Sequence, residues 1–182
     1  MESVFDSNEF NGNLFFPRPD YGISPPGKEE IYVEVEEEVR VHLRRHTNPS
    51  AVFSILFFHG NGEIVADYDD LVHRFSELGA ELIVADYRGY GKSTGRSTLR
   101  DALKDASIIY TFLKKNKILL KKNCVMGRSL GSASAIELCS KFPEIAACII
   151  ESGYADPVPL VERRGLKIHS TTPEEDALFN NN

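Results

Sequence analysis

Five residues, Gly127-Arg128-Ser129-Leu130-Gly131, constrain the fold of this chain more than any others. They stand between an apolar run, Cys124-Val125-Met126, and a stretch of small, helix-compatible residues, Ser132-Ala133-Ser134-Ala135-Ile136-Glu137-Leu138. The run predicts a strand and the stretch predicts a helix. A strand that becomes a helix within five residues must bend sharply, and the flanking glycines leave room for that bend.

The rest of the chain alternates in the same way. Ile31, Val33 and Val35 share one face of a period-2 run, and Val39, Val41 and Leu43 repeat the pattern after Glu37-Glu38. Two such runs predict an antiparallel hairpin at a sheet edge. His42 and His46 fall on its polar face and are expected at the surface. The stretch 52–58 is almost continuously apolar, as suits a strand buried on both faces of a parallel sheet. A helix is predicted through Tyr68, Leu71, Val72, Phe75 and Leu78, stopped by Gly79. A strand over 82–85 and a helix carrying Leu99, Leu103, Ala106, Ile109 and Leu113 follow. Beyond the glycine pentapeptide, Ala147-Cys148-Ile149-Ile150 reads as a further strand of interior type, apolar on both faces, which becomes an unprotected edge if no strand follows it. Strands and helices in alternation predict a mostly parallel sheet covered on both faces. Residues 1–28, rich in Asn, Pro and Gly, are expected to form an extended arm whose Phe15, Phe16 and Tyr21 pack on the body. Residues 29–156 make the core, and 157–182 a cap-like segment with a polar tail.

Composition narrows the function. The chain has 182 residues, 42% of them hydrophobic and 26% charged, which suits one globular domain. The net charge of −6, with no basic face, argues against nucleic acid as a partner. Lys114, Lys115, Lys117, Lys121 and Lys122 read as a solvated helix end. The three cysteines, Cys124, Cys139 and Cys148, lie in apolar or helical stretches without metal-ligand spacing. That argues for a reducing compartment and against zinc or a disulfide scaffold. No signal peptide and no transmembrane segment is read, so a cytoplasmic location is expected. Gly91-Lys92-Ser93 hints at a phosphate loop, but Asp86 stands where that pattern needs glycine.

Three motifs together carry a resemblance. Gly127–Gly131 resembles the G-x-S-x-G nucleophile elbow of the α/β-hydrolases. His59-Gly60-Asn61-Gly62, directly after the 52–58 strand, is similar to their H-G-x-G oxyanion loop. Asp86-Tyr87-Arg88-Gly89-Tyr90-Gly91-Lys92-Ser93 resembles their D-x-R-G-x-G-x-S loop, whose expected role is structural. The motifs fall in the family's order, and the match runs from about Ile31 to about Asp156. The closest branch is the serine-aminopeptidase group with its lipases, thioesterases and depalmitoylases. Membrane-bound depalmitoylases of that branch carry an N-terminal cysteine cluster, which this chain lacks.

The resemblance implies hydrolysis of an ester, thioester or amide through an acyl-serine on Ser129, acting on a small-molecule or acylated substrate without a cofactor. The oxyanion donors it implies are the backbone N–H groups of Leu130 and Asn61. His59 stands where the family has a structural loop histidine. The family order is serine, acid, histidine, and after Glu151 no further apolar strand run appears. The expectation is an α/β-hydrolase fold lacking its last two strands, with acid and base missing. Asp156 and His169 are the substitutes to consider; Glu151 and Asp176 are weaker acids. The alternative to a serine hydrolase is a non-catalytic remnant or binding fragment of the same fold.

Overall fold

The structure, a computed structural model, describes residues 3–165. Strands β1 (Lys28–Glu36) and β2 (Val39–His46) form the expected antiparallel hairpin. Strands β3 (Phe53–Phe58), β4 (Ala80–Ala85), β5 (Asn123–Arg128) and β6 (Cys148–Glu151) follow. Together they form one sheet of six strands in the order β1-β2-β4-β3-β5-β6. β2 meets β4 antiparallel, and β4, β3, β5 and β6 run parallel. The mixed sheet is the one expected.

Helices cover both faces. On one, α3 (Leu99–Lys115) and α4 (Gly131–Lys141) pack over the sheet. Thr98 caps α3 by accepting the Asp101 N–H at 3.1 Å, and Ala106, Ile109, Tyr110 and Leu113 face inward at helical spacing. Each such large apolar side chain contributes about 2 kcal/mol by leaving water. The opposite face carries a smaller core of Ile55, Phe57, Val65, Tyr68, Leu82 and Val84, against which α2 (Val72–Glu77) packs.

Three expectations need correction. The N-terminal arm is not wholly extended: Asn8–Leu14 is a helix, α1, capped by the Ser7 hydroxyl, which accepts the Phe10 N–H at 3.1 Å. The proline restriction bites only from Phe16 onward, leaving the preceding residues free to coil. Phe10, Leu14 and Phe15 are buried, whereas Phe16 is 50% and Tyr21 91% exposed, so Tyr21 does not pack on the body. The helix predicted over 68–78 is split into a 3-10 turn, Val65–Tyr68, and the short α2. His42 and His46 are fully buried, because Glu30, Asp69 and Asp86 close over that face of the hairpin. All four residues of β6, the last strand of the described sheet, are exposed, as expected of a sheet that ends at this strand. A further short helix, α5 (Val158–Glu162), follows β6 and contacts α1.

Candidate active site

β5 delivers the chain into the glycine pentapeptide, and α4 leaves it. Ser129 sits at φ 48°, in the left-handed region that a residue with a side chain seldom occupies. Its neighbours explain why it stays there. A Cβ on Gly127 would collide with the Gly131 carbonyl, and one on Gly131 with the carbonyl of Phe58. Helix α4 therefore starts in direct contact with the end of β3, an approach only glycine allows. The Ser129 N–H donates to the Glu151 carbonyl at 2.8 Å, and the Ser129 carbonyl accepts the Ser132 hydroxyl at 2.6 Å. The Ser129 hydroxyl is half-buried and has no hydrogen-bond partner among the described residues.

Phe58 pairs with Gly127 in register, so the loop after β3 and the bend after β5 leave the sheet side by side. That loop is His59-Gly60-Asn61-Gly62. The Gly60 N–H donates to the Glu63 carboxylate at 2.7 Å and is thereby engaged. Tyr68 holds the same carboxylate through its hydroxyl at 2.6 Å, and Arg128 pairs with it. The backbone N–H groups of Asn61 and Leu130 have no acceptor among the described residues. Two unengaged donors next to a strained serine are what a developing oxyanion requires.

His59 is fully buried. Its Nδ1 meets the Gly60 carbonyl at 2.8 Å and its Nε2 meets Asp86 at 3.2 Å, which leaves no ring nitrogen for the serine. Asp86 is a hub: its carboxylate also meets His42 Nδ1 at 2.8 Å and accepts the Val65 N–H at 3.0 Å. Burial pushes the Asp86 carboxyl up, but the hydrogen bonds from His42 and His59 outweigh it and hold the group below its ordinary value. The remainder of the Asp86–Ser93 loop is equally tied down. Arg88 forms a two-pronged pair with Asp105 of α3 at 2.7 and 2.8 Å, and Ser93 accepts the His42 N–H at 2.9 Å.

The acid and base candidates are dispersed. Asp156 accepts the Val158 N–H at 2.8 Å, at the start of α5. Glu151 is exposed and pairs with Arg128 at 3.2 Å. His169 and Asp176 lie outside the described residues. Among the described residues no histidine hydrogen-bonds Ser129. His42 and His59 are tied to Asp86, His73 to the Asp70 carbonyl, and His46 is buried beside Asp69. A cleft of about 450 Å³ opens over Phe57, Tyr68, Phe75, Met126, Arg128 and Glu151, and Ser129 does not line it. Glu63 and Tyr90 were not singled out as site residues. A carboxylate three residues past Gly60, placed to receive its N–H, was the available signal for Glu63.

A parallel sheet that feeds a strained serine bend, with a glycine loop leaving the neighbouring strand beside it, defines an α/β-hydrolase scaffold. The family model described as serine aminopeptidase, S33, matches residues 49–171, and the chain belongs to that family. The chain is 32% identical to protein bem46 of Schizosaccharomyces pombe over 120 residues, covering 63% of this chain and 40% of that protein. It is 28% identical over 110 residues to human alpha/beta hydrolase domain-containing protein 17B, covering 58% and 37%. The chain thus spans well under half the length of these two curated relatives. Among solved structures, the Pyrococcus furiosus esterase Pf2001 superposes with a TM-score of 0.66 at 24% identity, covering 87% of this chain and 65% of that one. Among the described residues, no helix is long and apolar enough to cross a membrane.

Proposed function

We propose that Ser129 is the nucleophile of an acyl-transfer hydrolase acting on an ester, thioester or amide. The observation that carries this reading is the φ of 48° at Ser129, wedged between two glycines whose replacement would drive a Cβ into backbone. Strain of this kind costs on the order of 1–3 kcal/mol, and a serine bearing it at a strand–helix bend is suited to attack. Its hydroxyl would add to the substrate carbonyl, and the Asn61 and Leu130 N–H groups would receive the oxygen that becomes negative. A base must take the hydroxyl proton and return it to the leaving group. Residues outside the described part of the chain, His169 among them, are where that base is to be sought. The chemistry calls for no cofactor.

A second reading has its own support. Every described histidine is buried or bonded elsewhere, which suits a non-catalytic remnant that keeps the elbow as a binding feature. Incubation with a fluorophosphonate serine probe separates the two. Labelling that disappears in Ser129→Ala supports the nucleophile; folded protein that takes up no label sinks it and leaves the remnant.

A further inference from the structure

The oxyanion loop is the least self-supporting part of the site. Asn61 lies between two glycines, one of them, Gly62, at φ 75°, so the backbone on either side can adopt many conformations. Glu63 and His59 hold Gly60 from within the loop. Asn61 and Gly62 are held from elsewhere. The Asn61 Nδ2 donates to the Leu14 carbonyl at 2.6 Å. Its Oδ1 accepts the Phe16 N–H at 2.9 Å and the Tyr90 hydroxyl at 2.6 Å. Tyr90 also accepts the same Phe16 N–H at 2.8 Å. The Gly62 carbonyl accepts Arg18 Nε at 3.1 Å, and Arg18 pairs with Asp67.

The segment Leu14–Arg18 is itself firmly seated. The Phe15 side chain is buried, edge-on to Tyr87 with ring centres 6.1 Å apart. The Arg18 carbonyl accepts the Gly91 N–H at 2.8 Å, and the Asp20 N–H donates to the Gly91 carbonyl at 3.0 Å. Arg164, just past α5, donates to the Asn13 carbonyl at 2.7 Å and lies 5.0 Å over the Phe16 ring. Both polar atoms of the Asn61 side chain are thus engaged by this segment and Tyr90, while its backbone N–H stays unengaged.

We infer that Leu14–Arg18 is a positioning strap for the oxyanion loop, latched by the Tyr90 hydroxyl. By gripping the Asn61 side chain it aims the Asn61 N–H. The inference rests on the reading of Ser129 and Asn61 above. Preorganised donors are effective because they need not reorient as charge develops, and here the orientation comes from a segment some 45 residues earlier in the chain.

Asn61→Ala tests this, since it keeps the backbone N–H and removes every strap anchor on that side chain. Three quantities are measured on the full chain: the fluorophosphonate labelling rate per folded molecule, the rate of chymotrypsin cleavage after the buried Phe15, and the melting temperature. The expected result is labelling at least tenfold slower, cleavage at least tenfold faster and little change in melting. Tyr90→Phe, which removes only the latch, should slow labelling about threefold and provides the test should Asn61→Ala fail to fold. Labelling at the unsubstituted rate in a folded variant overturns the strap, because a merely structural role would move melting alone. If the unsubstituted chain takes no label, the nucleophile reading fails by itself. The strap is then judged by amide hydrogen exchange at Asn61 and Gly62: tenfold faster exchange in Asn61→Ala supports it, and unchanged exchange overturns it.

Discussion

The two edges of the sheet reverse the usual relation between polarity and burial. At the hairpin edge, charged groups are inside. Arg44 is 1% exposed and donates to Glu30 at 2.8 Å, to Asp69 at 2.6 Å and to Ser24 at 3.3 Å. His42 beside it bridges Glu30 and Asp86. At the β6 edge, apolar groups are outside: Ile149 is 40% and Ile150 42% exposed. The first edge buries charge because each charge meets a counter-charge supplied by another segment. The second exposes apolar side chains because the described residues cover it only in part: α4 reaches β6, but no described strand pairs along its outer side. What decides burial at either edge is the cover supplied by distant parts of the chain, and the strand's own pattern says little about it.

Breaking the charged edge should have the largest effect. Arg44→Met leaves the Glu30 and Asp69 carboxylates without their main counter-charge, and loss of one partner from a buried pair costs roughly 3–5 kcal/mol. Urea unfolding would measure it; a loss under about 1 kcal/mol would show that the network contributes little.

A smaller, pH-dependent effect should come from His46. Burial, with the Lys28 and Arg44 charges adding to it, pushes this imidazole down to about 4 from an ordinary 6.5. Asp69 lies 3.7 Å away, too far for a hydrogen bond, and is engaged by Arg44, so its attraction does not reverse the shift. As the pH falls, the unfolded chain takes up this proton before the folded one does. The stability tied to a neutral His46 is therefore complete above about 6.5 and drains away between 6.5 and about 4. His46→Leu should flatten that part of the stability–pH curve, and a curve of unchanged slope would argue against the assignment.

The smallest effect belongs to the apolar edge. Ile149→Thr and Ile150→Thr should each change stability by no more than about 0.5 kcal/mol, the range of exposed positions. A loss of 2 kcal/mol or more, read by thermal melting, would mean that other parts of the chain cover β6.

The same contrast explains what could be read from residues alone. The buried central strands were legible because 52–58 and 82–85 are apolar on both faces, which only a doubly covered strand tolerates. The elbow was legible because Gly127 and Gly131 are needed for steric reasons that survive without coordinates. His42 and His46 were misread because alternation shows that the two faces of a strand differ without showing which face a later segment will cover. The strap was missed because Pro17 and Pro19 suggested an extended arm that only lays its aromatic side chains on the body, whereas its role comes from hydrogen bonds to Asn61 that span dozens of residues. For the same reason Tyr90, inside a recognisable loop motif, gave no sign that its hydroxyl reaches the neighbouring loop.

The ladder between β5 and β6 does not stop where the strands stop. Its last rung is the bond from the Ser129 N–H to the Glu151 carbonyl. The most strained residue of the site therefore hangs from the least covered strand. Fraying of β6 from its open side would break that bond and leave the Ser129 bend held only by the close packing at Gly127 and Gly131. A strand laid along that side would have the opposite effect, stiffening Ser129 at a distance without touching its hydroxyl.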